Sequence, residues 1–137
     1  MKPTDRPDDD LVTVPSAHGV AETVERLKDL LGKKSIQVFA DIDHAAGAKQ
    51  VGLPLRPTRL LIFGNPRVGT PLMQSRQTIG LDLPLRMLIW EDEAAKTWLT
   101  YHRPEYLAQR HQVRDQDEAV MSLGAALAAL AAAAGEV

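Results

Sequence analysis

Residues 41–44 of the sequence, DIDH, carry side chains that could do acid–base chemistry. A carboxylate from Asp41 or Asp43 beside the imidazole of His44 could orient that ring as a general base or as a metal ligand. The alternative is structural, with Asp43 as a helix cap and His44 packed beside it. No second histidine follows at i+3 or i+4, so we predict no metal site and no bound cofactor here.

A second polar segment, FGNPRVGTPLM, could bind an anion through backbone N–H groups before a helix, with Arg67 as a planar donor. The segment lacks the lysine of a phosphate loop. We therefore favour a turn at Asn65-Pro66 and a short helix with Thr70 as its N-cap. Asn65 could still face a ligand pocket, because its amide offers both a donor and an acceptor.

Asp82 lies between apolar residues in GLDLPLR, so its carboxylate must face solvent, cap the backbone or pair with a base. We expect it to pair with Arg86 or another base rather than to act in catalysis. His102 and His111 are expected at the surface. Packing, rather than a ligand site, is the expected role of the large apolar residues Met87, Trp90, Trp98 and Tyr101.

The composition is that of one soluble globular domain. The chain has 137 residues, of which 45% are hydrophobic and 25% are charged, with a formal charge of −2. Its basic residues are scattered and only 4% of residues are aromatic, so we expect no nucleic-acid partner. The absence of cysteine excludes disulfides, thiolate catalysis and cysteine metal sites.

The termini predict a cytoplasmic protein. The segment 1–10 is rich in proline and aspartate, which predicts a disordered tail and not a secretory signal. The most apolar stretch, Ala119–Ala134, is shorter than the roughly 20 residues of a spanning helix. We therefore expect no membrane association and a single α+β domain over residues 11–137.

Apolar spacing predicts the first elements. LVTV reads as a strand that ends at Pro15. A helix is expected from Val20 to Leu31, where apolar residues recur every three or four positions before Gly32. SIQVFADI alternates with period two, which predicts a strand whose inward side chains are Ile36, Val38, Ala40 and Ile42.

The second half predicts more strands and a final helix. RLLIFG reads as a central strand, and LPLRMLIWED with KTWLTYH reads as an antiparallel hairpin. A C-terminal helix is expected at about residues 116–134, with an apolar seam at Val120, Leu123, Leu127, Leu130 and Ala134. The order β-α-β(3–4)-α predicts an α+β fold with helices on one face of a mainly antiparallel sheet.

The motifs FGNP, LDLPLR and YHRPEYL, in this order and spacing, resemble the bacterial family known as domain of unknown function 302. The resemblance covers a core of residues 11–113. It implies a compact domain similar to TATA-box-binding-protein-like folds, often a homodimer, without an established activity. Ala95 departs from the family, which frequently has glycine in this turn, and an alanine at positive φ would cost on the order of 1 kcal/mol.

Three hypotheses of function follow. The first is a cytoplasmic, dimeric module that binds a small ligand, anionic or apolar, near His44, Asn65, Arg67 and Asp82. The second is a small enzyme that uses His44 with Asp41 or Asp43 for proton transfer. The third is a structural protein whose hairpin and C-terminal helix form a subunit interface.

Overall fold

A computed structural model of the chain describes residues 10–137. Within this range five strands occur in chain order: β1 (Leu11–Ser16), β2 (Gln37–Asp43), β3 (Thr58–Gly64), β4 (Leu85–Glu91) and β5 (Thr97–His102). The α-helices of the same range are α1 (Val20–Lys33), α2 (His44–Gln50), α3 (Pro66–Ser75), α4 (Pro104–Arg110) and α5 (Asp117–Gly135). A 3₁₀ helix, Gln77–Asp82, joins α3 to β4. The tail expected at residues 1–10 lies outside the described residues, apart from Asp10.

The strands form an antiparallel sheet in the order β1-β5-β4-β3-β2. This arrangement confirms the α+β class and the mainly antiparallel sheet. The hairpin of β4 and β5 is confirmed as well. β1 continues through Pro15 to Ser16, beyond the predicted end, because an edge strand tolerates a residue without a backbone N–H.

Helices cover one face of the sheet. The apolar stripe of α1, which includes Val24 and Leu27, is fully buried against this face. α5 packs beside α1 and over β1. The sheet contributes alternate residues of its central strands to the same core: Leu61, Phe63, Leu85, Met87, Ile89 and Leu99. The buried layer thus has the composition that the period-two pattern predicts.

β2 does not keep the predicted face. Its register with β3 shifts between Val38 and Ala40, which leaves Phe39 as an extra residue in a bulge. Val38 packs against the core, whereas Ala40 and Ile42 pair with residues of the opposite face, and Ile42 is 40% exposed. The prediction of one inward face from Ile36 to Ile42 was wrong, because a single added residue reverses the side-chain alternation.

The C-terminal helix spans Asp117–Gly135, and its predicted seam is largely buried. Arg26 of α1 holds its end, because the guanidinium donates to the carbonyl oxygens of Ala134 at 2.9 Å and Ala133 at 3.1 Å. Gly135 lies against β1, where an added Cβ would be 2.6 Å from the carbonyl oxygen of Pro15. The end of α5 therefore approaches β1 so closely at Gly135 that no side chain fits there.

α5 is long and apolar enough to cross a membrane by length and composition alone. In the structure its six buried positions form one stripe against the protein core: Val120, Leu127, Leu130, Ala131, Ala134 and Gly135. These positions leave about two thirds of the helix outside the protein interior, since 33% of its apolar window is buried.

Candidate functional site

An apolar cavity of about 450 Å³ opens between α3, the bulge of β2, the start of β4 and α5. Ligand pockets in proteins generally measure about 300–1,000 Å³. Lys34 is the charged member of the wall, and Asn65 and Thr70 are its polar side chains. The remaining wall is apolar or glycine: Ile36, Phe39, Phe63, Gly64, Pro66, Val68, Gly69, Leu72, Met73, Leu83, Pro84, Leu85, Leu123, Ala126, Leu127 and Leu130.

The bulge in β2 builds one wall of this cavity. Phe39 is the extra residue of the bulge; it lines the cavity and is 48% exposed. Gly64 of β3 lies between Phe39 and Pro84, and a Cβ there would be 3.3 Å from the Cβ of Pro84. The irregularity that breaks the strand pattern therefore also places an aromatic ring at the opening.

α3 forms a second wall and starts earlier than predicted. Asn65 is its N-cap and accepts a hydrogen bond from the backbone N–H of Arg67 at 2.9 Å through Oδ1. Pro66 takes the first helical position, and Thr70 and Pro71 lie inside the helix. The prediction of Thr70 as N-cap was wrong, because Asn65 already satisfies an N–H group of the first turn.

The structure separates the site residues that the sequence grouped together. Asn65 lines the cavity, with its carbonyl oxygen engaged in the cap. Arg67 is exposed and forms no ion pair within residues 10–137. His44 begins α2 at the surface and lies outside the cavity wall. Asp82 does not line the cavity either, although the next residue, Leu83, does.

The two acidic residues before His44 have structural partners. Asp43 caps α2 by accepting from the N–H of Ala46 at 2.9 Å, as the structural alternative predicted. Asp41 accepts two hydrogen bonds from Arg59, at 2.9 and 2.5 Å, and pairs with Lys28 at 2.6 Å. The Arg59 hydrogen bonds lower the pKa of Asp41 to about 2, although its partial burial opposes the shift. Within the described residues, neither Asp41 nor Asp43 forms a hydrogen bond with His44.

Asp82 belongs to a buried cluster with His111. The carboxylate, 7% exposed, accepts from Nε2 of His111 at 2.5 Å, while Arg86 and Arg110 lie farther away at 3.6 and 3.7 Å. The predicted Asp82–Arg86 pair is therefore present as a weaker contact. Nδ1 of His111 lies 3.1 Å from Oγ1 of Thr78.

The charge of Asp82 is stabilised in this cluster. Burial acts to raise the pKa of Asp82, but the hydrogen bond from His111 and the charges of Arg110 and Arg86 bring it below its ordinary value. The carboxylate is therefore ionised at neutral pH. The expectation that His111 lies at the surface was wrong, since only 9% of its side chain is exposed.

A larger hollow of about 1,080 Å³ lies between the start of α1, α2 and the loop before β3. It is open, and its apolar walls are largely exposed, with Leu53 at 62% and Leu55 at 50%. Its charged residues include Lys49 and Arg56. We consider it the weaker candidate, because an open hollow removes less of a ligand from water. Over residues 10–137, no group of three or more His, Asp or Glu side chains could hold a metal ion.

The sequence did not identify Lys34, Phe39 or the residues of α5 as parts of a cavity wall. It also did not identify Thr78 and His111 as partners in the Asp82 cluster. The cavity combines segments that are far apart in the chain, from residue 34 to residue 130. No spacing of residues within one segment predicts that these distant segments meet. The polar turn Asn65-Pro66 was the one signal that pointed to it.

The chain is similar in sequence to proteins from Brucella species. It is 56% identical over 106 residues to "Fluoride-specific ion channel FluC 1" of Brucella suis biovar 1 (strain 1330), which covers 77% of this chain and 42% of that protein. The same identity and length relate it to "Fluoride-specific ion channel FluC 2" of Brucella melitensis biotype 1, over 39% of that protein. The chain thus spans about two-fifths of the length of these curated relatives.

The fold is that of a solved family member. The crystal structure of an uncharacterized conserved protein DUF302 from Bacillus stearothermophilus matches with a TM-score of 0.83 and 21% identity, over 91% of this chain and 98% of that one. The family model described as domain of unknown function DUF302 matches residues 12–130, which extends the likeness past the expected core of 11–113 into α5. The chain belongs to the DUF302 family.

Proposed function

We propose that this domain binds a small amphiphilic molecule, with an apolar chain in the cavity between α3 and α5 and an anionic head near Lys34. The observation that carries the proposal is the cavity wall itself: about 450 Å³ of space with a predominantly apolar lining and one charged residue. Transfer of apolar surface from water contributes about 25 cal/mol per Å². Burial of the ligand's hydrocarbon chain would therefore contribute most of the binding free energy.

The polar groups of the wall support an amphiphile over a polar ligand. The Asn65 carbonyl oxygen is already engaged as the N-cap, which leaves its amide N–H₂ group as a donor. Lys34 is exposed at the C-cap of α1 and forms no ion pair with the residues described. A carboxylate held there would gain charge pairing without the burial of an unpaired ion.

Calorimetric titration with sodium decanoate and with 1-decanol tests both parts of the proposal. We expect decanoate to bind more tightly than the alcohol. Val68→Trp, which enlarges a side chain of the wall, should weaken both ligands at least tenfold. Val51→Trp is the matched control, because Val51 is 72% exposed and lies outside the cavity wall. Unchanged affinity in Val68→Trp, or no binding of either ligand, would contradict the proposal.

The two neighbouring lysines separate the contribution of the head from that of the chain. Lys34 lines the cavity and Lys33 does not. Lys34→Met should weaken decanoate about three- to tenfold and leave decanol unchanged, while Lys33→Met should change neither. Equal effects of the two substitutions would show that the attraction is general and not specific to the cavity.

We also propose a cytoplasmic homodimer, in which a second copy covers the sheet face opposite the helices. Ile42, Leu60 and Leu88 lie directly opposite one another across three strands of that face, each at least partly exposed. The Trp90 indole N–H donates to Thr100 at 2.9 Å, so its ring needs no polar partner. With strands about 4.8 Å apart and a rise of about 3.3 Å, the whole face measures roughly 400–500 Å² per copy. Thr13 and Thr100 of this face are already buried within one copy, so two copies would bury at most about 1,000 Å², the lower limit for a specific interface.

Light scattering behind a sizing column tests this interface. The wild-type chain should run as a dimer, and Leu60→Lys should shift it to the monomer. Val51→Lys provides an exposed control away from the sheet. A monomeric wild type, or a dimeric Leu60→Lys variant, would refute the interface.

A second candidate function is a role in fluoride handling. It is favoured by the 56% identity over 106 residues with part of proteins named fluoride-specific ion channels. Titration of the chain with sodium fluoride, followed by ¹⁹F NMR, should then give a saturable change that sodium chloride does not compete away. An unchanged fluoride signal at millimolar protein would contradict direct binding.

A further inference from the structure

Thr78, His111 and Asp82 form a linear chain of hydrogen-bonded groups outside the apolar cavity. The Thr78 hydroxyl lies 3.1 Å from Nδ1 of His111, and Nε2 of the same ring lies 2.5 Å from Oδ2 of Asp82. Burial decreases outwards along this chain, since Asp82 is 7% exposed, the His111 ring is 9% exposed and Thr78 is an exposed residue. A hydroxyl at the surface, backed by an oriented imidazole and a buried carboxylate, is the arrangement of an activated nucleophile.

The Asp82 carboxylate orients the His111 ring. The low pKa of Asp82 keeps its carboxylate ionised, and an ionised carboxylate only accepts hydrogen bonds. The proton in the short contact therefore resides on Nε2 of His111. Nδ1 is then the ring nitrogen that faces the hydroxyl of Thr78, at 3.1 Å.

The local charge favours anionic substrates. Arg86 and Arg110 flank Asp82 from opposite oxygens at 3.6 and 3.7 Å, so two guanidinium groups accompany one carboxylate. Both side chains are partly open to solvent, at 40% and 51% exposure. The excess positive charge around Asp82 would attract an anion to this cluster.

We propose that Thr78, His111 and Asp82 hydrolyse small esters that carry a negative charge, at a site separate from the amphiphile cavity. Thr78 Oγ1 attacks the ester carbonyl carbon and passes its proton to Nδ1 of His111. The bond to the leaving oxygen then breaks, and that oxygen takes the proton from Nδ1. Water attacks the acyl-threonine with His111 as base again, which releases the acid and restores the hydroxyl. Asp82 acts as a positioning residue for the ring.

Hydrolysis of mono-4-nitrophenyl succinate and of 4-nitrophenyl acetate by the purified chain tests the proposal. We expect turnover above the buffer rate, with a KM for the charged succinate at least threefold lower than for the acetate. Thr78→Val keeps the shape of an exposed residue and removes the oxygen, so it should lower kcat at least 100-fold. Thr78→Ser should retain turnover, which distinguishes loss of the hydroxyl from loss of the fold.

Two further variants distinguish chemistry from background imidazole reactivity. His44→Ala removes an exposed histidine outside the cluster and should leave the rate unchanged. Asp82→Asn should lower kcat about tenfold or more, because it affects the ring orientation, whereas the KM for the charged succinate should not rise, because both guanidinium groups remain. Mass spectrometry of acid-quenched wild type should find a succinyl group on Thr78, absent in Thr78→Val. Wild-type turnover equal to buffer, or full activity in Thr78→Val, would overturn the proposal.

Discussion

Nε2 of His111 lies 2.5 Å from Oδ2 of Asp82 and joins two segments that are 29 residues apart in the chain. His111 is the C-cap of α4, and Asp82 is the last residue of the 3₁₀ helix. The contact thus fastens the end of α4 to the entry of β4. Leu83, which follows Asp82 in the chain, lines the apolar cavity.

Asp82→Asn should destabilise the fold because it removes the ionised acceptor of a buried hydrogen bond. A broken hydrogen bond to a charged group costs about 1.5–3 kcal/mol. Urea denaturation should therefore show a lower midpoint with an unchanged slope. Asp29→Asn, at an exposed position of α1, is the control and should change the free energy of unfolding by less than about 0.5 kcal/mol. Equal stability of the two variants would contradict the role of this contact.

Asp41 should make the free energy of unfolding depend on pH in the acid range. Arg59 and Lys28 lower its pKa to about 2 in the folded chain, against an ordinary value of 3.8. Its stabilising effect is therefore complete above the higher value and is lost as the pH falls to about 2. After allowance for solvent screening, we expect about 1 kcal/mol. Asp41→Asn should flatten this dependence, and Lys28→Met should flatten it in part, because Arg59 remains.

Two glycines should respond in opposite ways to alanine. A Cβ at Gly135 would lie 2.6 Å from the carbonyl oxygen of Pro15 and 3.0 Å from Cα of Ser16, so Gly135→Ala should destabilise the fold by about 1–3 kcal/mol. Gly47 in α2 has no atom within 4 Å of the added Cβ, so Gly47→Ala should stabilise by about 0.5–1 kcal/mol. Thermal unfolding measured by circular dichroism compares them. The same direction of change in both variants would contradict the close approach at Gly135.

Ala95 sits in the hairpin turn with a φ of 63°, in the left-handed region that favours glycine. Ala95→Gly should raise the free energy of unfolding by about 1 kcal/mol, because glycine adopts this conformation without steric cost. Its neighbour Ala94 does not have a positive φ and provides the control. Ala94→Gly should be neutral or destabilising. A loss of stability in Ala95→Gly would show that the strain is absent.

Local patterns were sufficient for much of the fold. The stripe of α1 and the hairpin depend on contacts close in sequence, so helical or strand periodicity predicted them correctly. The bulge at Val38–Ala40 could not be foreseen, because it depends on how β3 pairs with β2. The start of α3 was misjudged because both Asn65 and Thr70 can serve as N-caps, and only the packing selects Asn65.

The candidate sites were less accessible to sequence reasoning. Asn65 drew attention to the cavity, but its opposite wall comes from α5, about 60 residues later. Pairing of Asp82 with Arg86 or another base was predicted correctly, but the sequence did not identify His111, at the end of a distant helix, as the closer partner. His44 stood out by its residue type and spacing, yet it lies at the surface away from both sites. Spacing along the chain identifies neighbours on one element, and these sites depend on neighbours between elements.

The most direct test of the proposed binding function is a titration of ¹⁵N-labelled protein with sodium decanoate, followed by amide chemical shifts. Binding in the cavity should give saturable shifts at residues of its wall, such as Gly64, Gly69 and Leu123, with little change at Gly19 and Ala46 in the open hollow. Saturable shifts confined to the hollow, or no saturable shifts at all, would contradict binding in the cavity between α3 and α5.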